Sequence, residues 1–371
     1  MEILSLKPEA FGLDISDLSL KFAKLKKKKK FFDLEIFGEK EIEPGVIKEG
    51  EIKDEKKLAE IIKEATKKIK TKYVITSLPE EKAFLQVIKM PKLPEEDLKS
   101  AVVFEAEKYI PLPIDQVYLD SQIIQPAPHQ NFSEGESLEV LISAIPKKIT
   151  DSYLNSFKLA GLQPTCFEIE SMAISRILIK EEFSRDPILI IDLGATRTSF
   201  IIFSGKTIRF TASTPISSHG FTQVISKTLG VNLEEAERLK IKYGLEERIR
   251  LKIEEEKTIK KMERGRVFEA LIPPLVDLVQ QIKRCIDFYE THTPAEKIKK
   301  IILCGGGTNL KGLTELLTIE LKLPVELGNP WLNILKKPEK GIKRMPLEKS
   351  FSFVTALGLA LRAIKYQRES H

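Results

Sequence analysis

Two stretches of the sequence decide its fold: GLDISDLSLKFAKL at residues 12–25 and IIDLGATRTSFIIF at residues 190–203. Each passes from an apolar segment into an aspartate, a short turn and a second apolar segment, a pattern that predicts a β-hairpin. When the two stretches are aligned, Asp14 falls over Asp192. Two halves that begin with the same unit predict duplicated domains that face each other across a cleft.

The turns of these hairpins are suited to phosphate groups, because successive backbone N–H groups converge on an anion and glycine permits close approach. In the second turn the candidate ligands are Gly194, Ala195, Thr196 and Thr198. In the first turn Ser16 replaces the glycine, and the carboxylate of Asp17 is expected to repel a polyphosphate. Ser16, Ser19 and Lys21 are the candidate ligands there, so the first turn is the weaker phosphate site.

The aspartates before the two turns, Asp14 and Asp192, form a natural pair for Mg²⁺, which prefers carboxylates, waters and phosphate oxygens. We expect them to hold the ion through its water shell. Either aspartate taken alone would be an ordinary turn residue, since aspartate often bonds its own backbone.

A third motif, IILCGGGTNLKGL at residues 301–313, leads from an apolar strand into three consecutive glycines. Thr308 or Asn309 is predicted to cap a following helix, so that backbone amides and a helix N-terminus face one point. The candidate nucleotide ligands of this motif are Gly305, Gly306, Gly307 and Asn309. Three glycines alone indicate little, but their position as the third member of an ordered set strengthens the prediction.

Composition predicts a globular protein with two domains or one large bilobal unit. The 371 residues carry a net charge of +6, which is too slight to predict nucleic-acid binding. Three cysteines lie far apart without a CxxC pair, which argues against a disulfide framework or zinc site and favours a reducing cytoplasm. No signal peptide and no apolar run of roughly 18 residues is evident, so we expect a cytoplasmic protein without a membrane span.

Strand-like and helix-like runs alternate along the chain, which predicts an α/β fold with mixed sheets. Between Leu78 and Gly161 the pattern changes to strands and helices broken by prolines, which indicates a compact inserted subdomain. We expect a first lobe at residues 1–80 and 150–185, an insertion at 81–149 and a second lobe at 186–371. The lysine run at 26–30 is predicted to form an exposed hairpin tip, solvated or in contact with anionic lipid.

The order of two phosphate hairpins and a glycine-rich turn resembles the actin-like ATPase superfamily. EEAERLKIKYG, at residues 234–244, looks like the helix of that superfamily that contacts the ribose, which makes Glu237 and Lys240 candidate ligands. An ordinary charged helix face is the alternative. The resemblance also places Glu170 where actin-like proteins carry a polar side chain that points at the γ-phosphate. A glutamate that merely favours the helix dipole is the alternative there.

Three longer segments are similar to the PilM family of type IV pilus assembly proteins: SAVVFEAEKYIPLPIDQVYLDSQII, ITDSYLNSFKLAGLQPTCFEIESMAISRIL and LCGGGTNLKGLTELLTIELKLPVELGNPW. The resemblance spans Phe11 to about Ile364. It implies a bilobal actin-like ATPase fold of duplicated RNase H-like domains with an inserted subdomain of the FtsA type. Family members bind ATP and recognise the cytoplasmic N-terminus of the membrane protein PilN, which recruits them to the inner face of the cell membrane.

For this chain the resemblance implies ATP and Mg²⁺ as cofactors, with weak or absent hydrolysis because the first turn is altered. It also implies that a PilN-like peptide docks between the N-terminal lobe and the inserted subdomain. The segment AVVFEAEKYIPLP would form one wall, with Phe104 and Tyr109 as anchors, although both rings could instead pack in the subdomain core. Pilus assembly ATPases and a second copy of the chain are further candidate partners.

Three alternatives stay open. An FtsA-like cytoskeletal protein is the nearest, but FtsA ends in a membrane-targeting amphipathic helix, whereas this chain ends soon after SFSFVTALGLALRAI, which is predicted to be a buried helix. A nucleotide-free scaffold would retain the fold and lose the cofactor. A sugar or acetate kinase would need a catalytic base beside a small-molecule pocket, and no motif for one is evident.

Overall fold

The structure is a computed structural model, and it describes residues 8–29, 31–91, 93–124, 138–245, 258–293, 296–337, 342 and 344–366. Strands and helices alternate through these ranges, which confirms the predicted α/β class.

The first sheet forms around the first hairpin. Its part of the chain contains β1 (Ala10–Ile15), β2 (Ser19–Lys28), β3 (Phe31–Glu41), β4 (Ile47–Lys48), β5 (Glu51–Ile52), α1 (Glu55–Thr66) and β6 (Tyr73–Leu78). β1 pairs antiparallel with β2 and parallel with β6. The helix α1 begins at a side-chain cap, since Asp54 accepts the Lys57 N–H at 2.9 Å. Its buried Leu58 and Ile62, one turn apart, pack against the sheet.

The predicted insertion is present as a small sheet with its own helix. It contains β7 (Phe84–Met90), α2 (Glu95–Ala106), β8 (Val117–Ile123) and β9 (Leu138–Pro146), with the strands in the antiparallel order β7-β9-β8. On one face, Val102 and Ala106 of α2 pack with Ile142 in a core of their own. On the other face, Leu85 and Leu141 join the main core of the molecule. The subdomain is therefore packed on both faces of its sheet.

After the insertion the chain returns to the first sheet through α3 (Lys147–Leu159), β10 (Gln163–Ile169) and α4 (Glu170–Leu178). β10 pairs parallel with β6 and completes the order β10-β6-β1-β2-β3. α3 packs beside α1, and its Tyr153 and Phe157 are fully buried in the same core as Leu58. The first sheet is thus finished by residues that follow the insertion.

The second sheet repeats the topology of the first. Its part of the chain contains β11 (Ser184–Leu193), β12 (Thr198–Gly205), β13 (Thr207–Thr214), α5 (Ser218–Leu229), α6 (Leu233–Tyr243), α7 (Thr258–His292), β14 (Lys300–Cys304), α8 (Leu313–Leu321) and β15 (Val325–Leu327). The order β15-β14-β11-β12-β13 matches that of the first sheet. Even the register agrees, because Asp14 pairs with Lys21 and Asp192 with Ser199. The duplication predicted from the two quoted stretches is confirmed.

The end of the chain departs from the predicted division into lobes. It contains α9 (Leu347–Ser350) and α10 (Val354–Tyr366), and α10 packs on β1, β2, β6 and α4 instead of the second sheet. Two glycines permit this approach. A Cβ at Gly12 would lie 2.4 Å from the Ala360 nitrogen, and one at Gly358 would lie 2.1 Å from the Ala173 oxygen. The expectation that residues 186–371 form the second lobe is therefore corrected for this helix.

The lysine-rich and apolar segments have the predicted structural roles. Lys26, Lys27 and Lys28 end β2 and are exposed next to the start of β3, as expected of a hairpin tip, whereas Lys30 lies outside the described residues. The apolar segment near the end of the chain is the buried helix α10. Across the part of the chain that the structure describes, no helix is both long and apolar enough to cross a membrane.

Candidate functional site

A cavity of about 310 Å³ lies between the two sheets, where the turns of both hairpins meet the glycine-rich turn. It is lined by most of the residues that the sequence predicted: Asp14, Ser16, Ser19, Lys21, Glu170, Asp192, Gly194, Ala195, Thr196, Glu237, Gly305, Gly306 and Gly307. Motifs separated by nearly 300 positions in the sequence therefore converge on one space.

Three predicted ligands do not line this cavity. Thr198 is fully buried, and its hydroxyl donates to the Ile216 carbonyl at 2.7 Å. The Asn309 amide donates to the Glu348 carbonyl at 3.1 Å. Lys240 is also buried, beneath the cavity wall. Thr198 and Lys240 thus lie behind the cavity wall, whereas Asn309 is exposed beside the glycine-rich turn, and the structure does not bring these three side chains into the cavity lining.

Lys240 holds Glu237 in place. Its ammonium group lies 2.8 Å from a Glu237 carboxylate oxygen and donates to the Ser218 carbonyl and the Thr222 hydroxyl at 2.9 and 2.8 Å. Burial lowers the pKa of Lys240, while Glu237 opposes that shift. This network fixes α6 against α5 and leaves the Glu237 carboxylate facing the cavity.

The two hairpin turns share one backbone geometry. The Ser16 N–H donates to the Ser19 carbonyl at 2.9 Å, and the Gly194 N–H donates to the Arg197 carbonyl at the same distance. In the first turn the side chains add a further layer, because Lys21 donates to the Ser19 hydroxyl at 2.6 Å. The first turn therefore presents side-chain hydroxyl groups and an ammonium group to the cavity. At the corresponding position the second turn has a glycine, which leaves its backbone accessible.

Asp17 borders the cavity, and the orientation of its carboxylate is set by backbone N–H groups of a neighbouring turn. Its two carboxylate oxygens accept the backbone N–H groups of Glu49 and Gly50 at 2.8 and 2.9 Å. These residues form the two-residue turn between β4 and β5, and both have positive φ angles, 52° and 72°. The carboxylate therefore stabilises a strained neighbouring turn while it still lines the cavity, and its repulsion of a polyphosphate stays a prediction.

The glycine-rich turn packs tightly against the second hairpin. Gly305 has a φ of +86°, and a Cβ there would lie 2.3 Å from the Asp192 Oδ1 atom and 2.5 Å from the Leu193 carbonyl oxygen. No other residue type fits without moving one of the two motifs. Glycine at this position is thus what lets the third motif reach the cavity.

The predicted helix cap after the glycines is not formed. Gly306–Asn309 is a short 3-10 helix, and the Thr308 hydroxyl donates back to the Gly305 carbonyl at 2.7 Å. The helix α8 begins only at Leu313, after Gly312 with a φ of +80°. The turn therefore brings backbone groups to the cavity without the N-terminus of a long helix.

Half-buried carboxylates dominate the electrostatics of the cavity. Burial raises the pKa of Asp14, although the nearby Lys21 and a hydrogen bond from Ser77 oppose the shift. Burial, with the Asp14 charge, raises the pKa of Asp192 to about 6. The pKa of Glu170 is raised well above its usual range by burial and by the charges of Asp14 and its other acidic neighbours. The cavity therefore favours protons or other cations.

Glu170 is positioned by a reciprocal contact at the start of α4. Its carboxylate accepts the Glu80 N–H at 3.3 Å, while the Glu80 carboxylate accepts the Ser171 N–H at 3.0 Å. The glutamate therefore both begins a helix and faces the cavity, so the two interpretations drawn from the sequence are compatible.

Sequence reasoning missed several lining residues. Arg197 stands inside the quoted motif DLGATRT, and its charge was the available signal. Glu81, Tyr153 and Ser218 also line the cavity. Glu81 and Ser218 belong to no quoted motif, and the quoted segment that contains Tyr153 gives no sign that this residue reaches the cavity.

The predicted partner anchors lie on the surface of the inserted subdomain. Phe104 is 68% exposed and Tyr109 is 44% exposed, so neither ring is buried in the subdomain core. The Lys108 ammonium lies 5.6 Å from the centre of the Phe104 ring. The alternative of two core rings is therefore excluded.

A second cavity, of about 470 Å³, lies between the subdomain, the helices α4 and α10, and the strands β12 and β13 of the second lobe. Its lining includes Gln122 of β8, Leu141 of β9 and Met172 of α4. Leu141 faces away from the side that α2 covers, because neighbouring residues of a strand point to opposite faces. Phe104 and Tyr109 therefore lie on the other side of the small sheet from this cavity.

Comparisons with known proteins agree with this geometry. The family profile described as type IV pilus assembly protein PilM matches residues 12–364. A solved PilM-PilN type IV pilus biogenesis complex is 29% identical, covers 96% of this chain and 99% of that chain, and superposes with a TM-score of 0.78. MreB5 of Spiroplasma citri bound to ADP, at 13% identity, covers 98% of each chain with a TM-score of 0.55. This last likeness shows the fold alone.

Curated relatives are more distant. The cell division protein FtsA of Pseudomonas aeruginosa is 28% identical over 183 residues, which is 46% of this chain and 42% of that protein. FtsA of Enterococcus hirae is 23% identical over 210 residues, with 52% and 47% covered. The chain thus spans less than half the length of these relatives, whereas the pilus family profile matches nearly all of it. The fold is the predicted bilobal actin-like one, and the chain belongs to the PilM family of type IV pilus assembly proteins.

Proposed function

We propose that this chain is an actin-like scaffold of type IV pilus assembly that binds Mg²⁺-ATP between its lobes and a PilN-like peptide beside its inserted subdomain. The observation that carries the proposal is the convergence of three separate motifs on one interlobe cavity. The complex of PilM with PilN and the ADP-bound MreB5 support it by analogy.

The cavity fits a nucleotide in shape and chemistry. The turns of the two hairpins supply backbone N–H groups and the Lys21 ammonium for phosphates. Gly305 allows the glycine-rich turn to pack against the second hairpin and so to reach the cavity. Glu237, braced by Lys240, is placed to accept hydrogen bonds from a ribose. We therefore assign the phosphates to the hairpin turns and the nucleoside to the glycine-rich turn and α6.

Asp14 and Asp192 would hold Mg²⁺ through water. In the described residues no group of three or more acidic, His or Cys side chains is arranged to hold a metal ion alone. Phosphate oxygens and waters would therefore complete the coordination, as this ion prefers. The raised pKa values of the cavity carboxylates favour the proposal, because a divalent cation would offset their repulsion.

Glu170 would orient a water beside the terminal phosphate. Burial and its acidic neighbours raise the pKa of Glu170, and Mg²⁺ between Asp14 and Asp192 would offset part of that repulsion. The slow or absent hydrolysis that we propose rests on the altered first turn, where Ser16 replaces the glycine.

Calorimetric titration of the full chain with Mg²⁺-ATP tests the cofactor. We expect binding that weakens at least about tenfold in Asp192→Ala, since a ligand of the metal's waters is lost. Asp186→Ala is the matched control, because Asp186 lies on the same strand but is exposed. If the unsubstituted chain binds nothing at millimolar Mg²⁺-ATP, the nucleotide-free scaffold replaces this proposal.

The partner would dock between the first lobe and the subdomain, in the second cavity, which is closed on a further side by β12 and β13 of the second lobe. In the described residues β8 pairs only with β9, so its outer edge is free to accept an extended segment as an added strand. Asp120 and Gln122 of that strand border the cavity. Phe104 and Tyr109 would form a separate contact outside α2. Such docking would hold the chain at the inner face of the cell membrane.

Titration with the N-terminal peptide of the PilN-like protein from the same source tests this site. We expect Met172→Trp, which fills the second cavity, to weaken binding at least about tenfold through overpacking. Phe104→Ala reports on the outer contact, with Phe288→Ala, an exposed aromatic of α7, as its control.

A deletion gives the decisive result for the partner site. Phe84 pairs with Ala144, so a short linker can replace Phe84 to Pro146 without stretching the chain. We expect that the chain with this deletion no longer binds the PilN-like peptide. Equal binding by a deleted chain that remains folded, judged by circular dichroism, would place the partner elsewhere.

A further inference from the structure

An ion pair crosses the mouth of the interlobe cavity. The Arg197 Nε atom lies 3.1 Å from the Glu81 Oε1 atom, and the side chains are only 21% and 11% exposed. Arg197 closes the turn of the second hairpin, since its carbonyl accepts the Gly194 N–H. Glu81 lies in the short 3-10 helix Glu80–Lys82, immediately before β7. The pair thus joins a phosphate-side turn to the entrance of the inserted subdomain.

Positive charge is scarce in this cavity. Among the described residues that line it, Lys21 and Arg197 carry the cationic side chains, whereas six lining residues are acidic: Asp14, Asp17, Glu81, Glu170, Asp192 and Glu237. A polyphosphate would add further negative charge to this surrounding. A guanidinium group suits phosphate oxygens, because its N–H donors form paired hydrogen bonds. Arg197 is therefore the side chain for which a bound phosphate and Glu81 would compete.

Glu81 depends on Arg197 for its charge balance. Burial raises the pKa of Glu81, Arg197 acts in the opposite direction, and the nearby Asp17 raises it again. A buried carboxylate that loses its partner is strongly unfavourable. If the guanidinium turns toward a phosphate, Glu81 must move toward solvent or take up a proton, and the segment before β7 then loses this tie to the second lobe.

We propose that Arg197 is a phosphate-sensing residue that exchanges Glu81 for the phosphates of the nucleotide, and that this exchange releases the start of the inserted subdomain. The inference rests on the nucleotide binding proposed above and assigns the side chain that links it to the partner surface. Lys21, which is anchored on Ser19 within the first lobe, has no such role.

The test compares Glu81→Gln and Arg197→Gln in titrations of the full chain with Mg²⁺-ATP. Glu81→Gln frees the guanidinium from competition, so we expect binding about threefold tighter or more. Arg197→Gln removes a charged donor, so we expect binding roughly tenfold weaker. The two substitutions should change the ATP affinity in opposite directions. If the ion pair only held the lobes together, removal of either residue would change the affinity in the same direction.

A second ion pair supplies the matched control. Arg209 of β13 and Glu139 of β9 lie 2.5 Å apart and also join the second lobe to the subdomain. Neither residue lines the interlobe cavity. Arg209→Gln and Glu139→Gln should therefore change the ATP affinity by less than about twofold.

Hydrogen exchange measures the release itself. Amides at the start of β7 should exchange faster when Mg²⁺-ATP is added to the unsubstituted chain, and ATP should have no such effect in Arg197→Gln. Failure of the unsubstituted chain to bind ATP would overturn the proposed function and this inference together. Normal binding, with the two variants shifted in the same direction or not at all, or with unchanged exchange at β7, would overturn this inference alone.

Discussion

Asp192 stands where burial and a neighbouring carboxylate act on the same acid. Its pKa rises from the ordinary 3.8 to about 6 in the folded chain, so the folded state binds the proton more tightly than the unfolded state does. The stabilising effect of that proton is complete below about pH 4 and is lost as the pH rises through 6. Above that range the buried charge of Asp192 opposes folding.

Asp192→Asn should therefore stabilise the nucleotide-free chain at neutral pH. At pH 7.5 we expect the free energy of unfolding to rise by about 2 kcal/mol, and at pH 4 we expect little change. Urea denaturation at the two pH values measures both quantities. Asp186→Asn, an exposed change on the same strand, should show no gain, and a gain for Asp192→Asn that does not vary with pH would contradict this account.

At the scale of secondary structure elements, the contact between α10 and α4 depends on the absence of a side chain. A Cβ at Gly358 would lie 2.1 Å from the Ala173 carbonyl oxygen, which is backbone and cannot rotate away. Gly358→Ala should therefore lower the free energy of unfolding by about 1–3 kcal/mol, despite the better helix propensity of alanine. Thermal or urea denaturation provides the measurement.

Gly220→Ala is the matched helical control. At Gly220, in α5, the nearest atom to an added Cβ is the Ser217 hydroxyl oxygen at 3.3 Å, which belongs to a side chain. This substitution should leave stability unchanged or raise it by up to about 1 kcal/mol. A similar loss at both positions would show that close packing of α10 is not the cause.

The elements that sequence predicted well are those with a local signature. Each hairpin, around Asp14 or Asp192, shows its apolar strands, its turn residues and its aspartate within 14 positions of the sequence. Comparison of the two stretches was enough to predict the duplication. The glycines at 305–307 likewise announce a tight turn. Such features arise from short-range chemistry, which a sequence displays directly.

What the sequence did not reveal depends on distant partners. Asp17 was expected to face phosphates, but its orientation is set by amides more than 30 positions away. The charge of Lys240 made it a candidate ligand, but its ammonium group is buried, where it binds Thr222 and Glu237. The role that we propose for Arg197 could be inferred only after the structure showed its ion pair with Glu81. The sequence pattern predicts which residue types occur and which local structure they form. The direction in which a side chain points and the groups that it contacts depend on the tertiary structure.

At the scale of the whole molecule, the two lobes are not independent sections of the chain. The first sheet is covered by α10, which lies at the far end of the sequence. Leu357 and Leu361 of that helix are buried in the main core. The first lobe is therefore complete only when the end of the chain has returned to it.

A chain truncated after Phe353 should keep its second lobe and lose protection in its first. Hydrogen exchange at the amides of β1 and β6 should accelerate, because the apolar surface covered by α10 becomes exposed. Amides of β11 and β12 should stay protected. A chain truncated after Tyr366 retains α10 and is the control. Uniform loss of protection across both sheets would show that the lobes fold as one unit.

The return of α10 to β1 also has a consequence for synthesis. A ribosome adds about 5–20 residues per second, so the first strand leaves the exit tunnel tens of seconds before the helix that covers it. During that interval the first sheet is a natural client for chaperones, whereas the second can close as its own strands emerge. A message cut short before α10 would yield a protein with an uncovered first sheet. The apolar surface of that sheet would mark such a chain for cellular quality control.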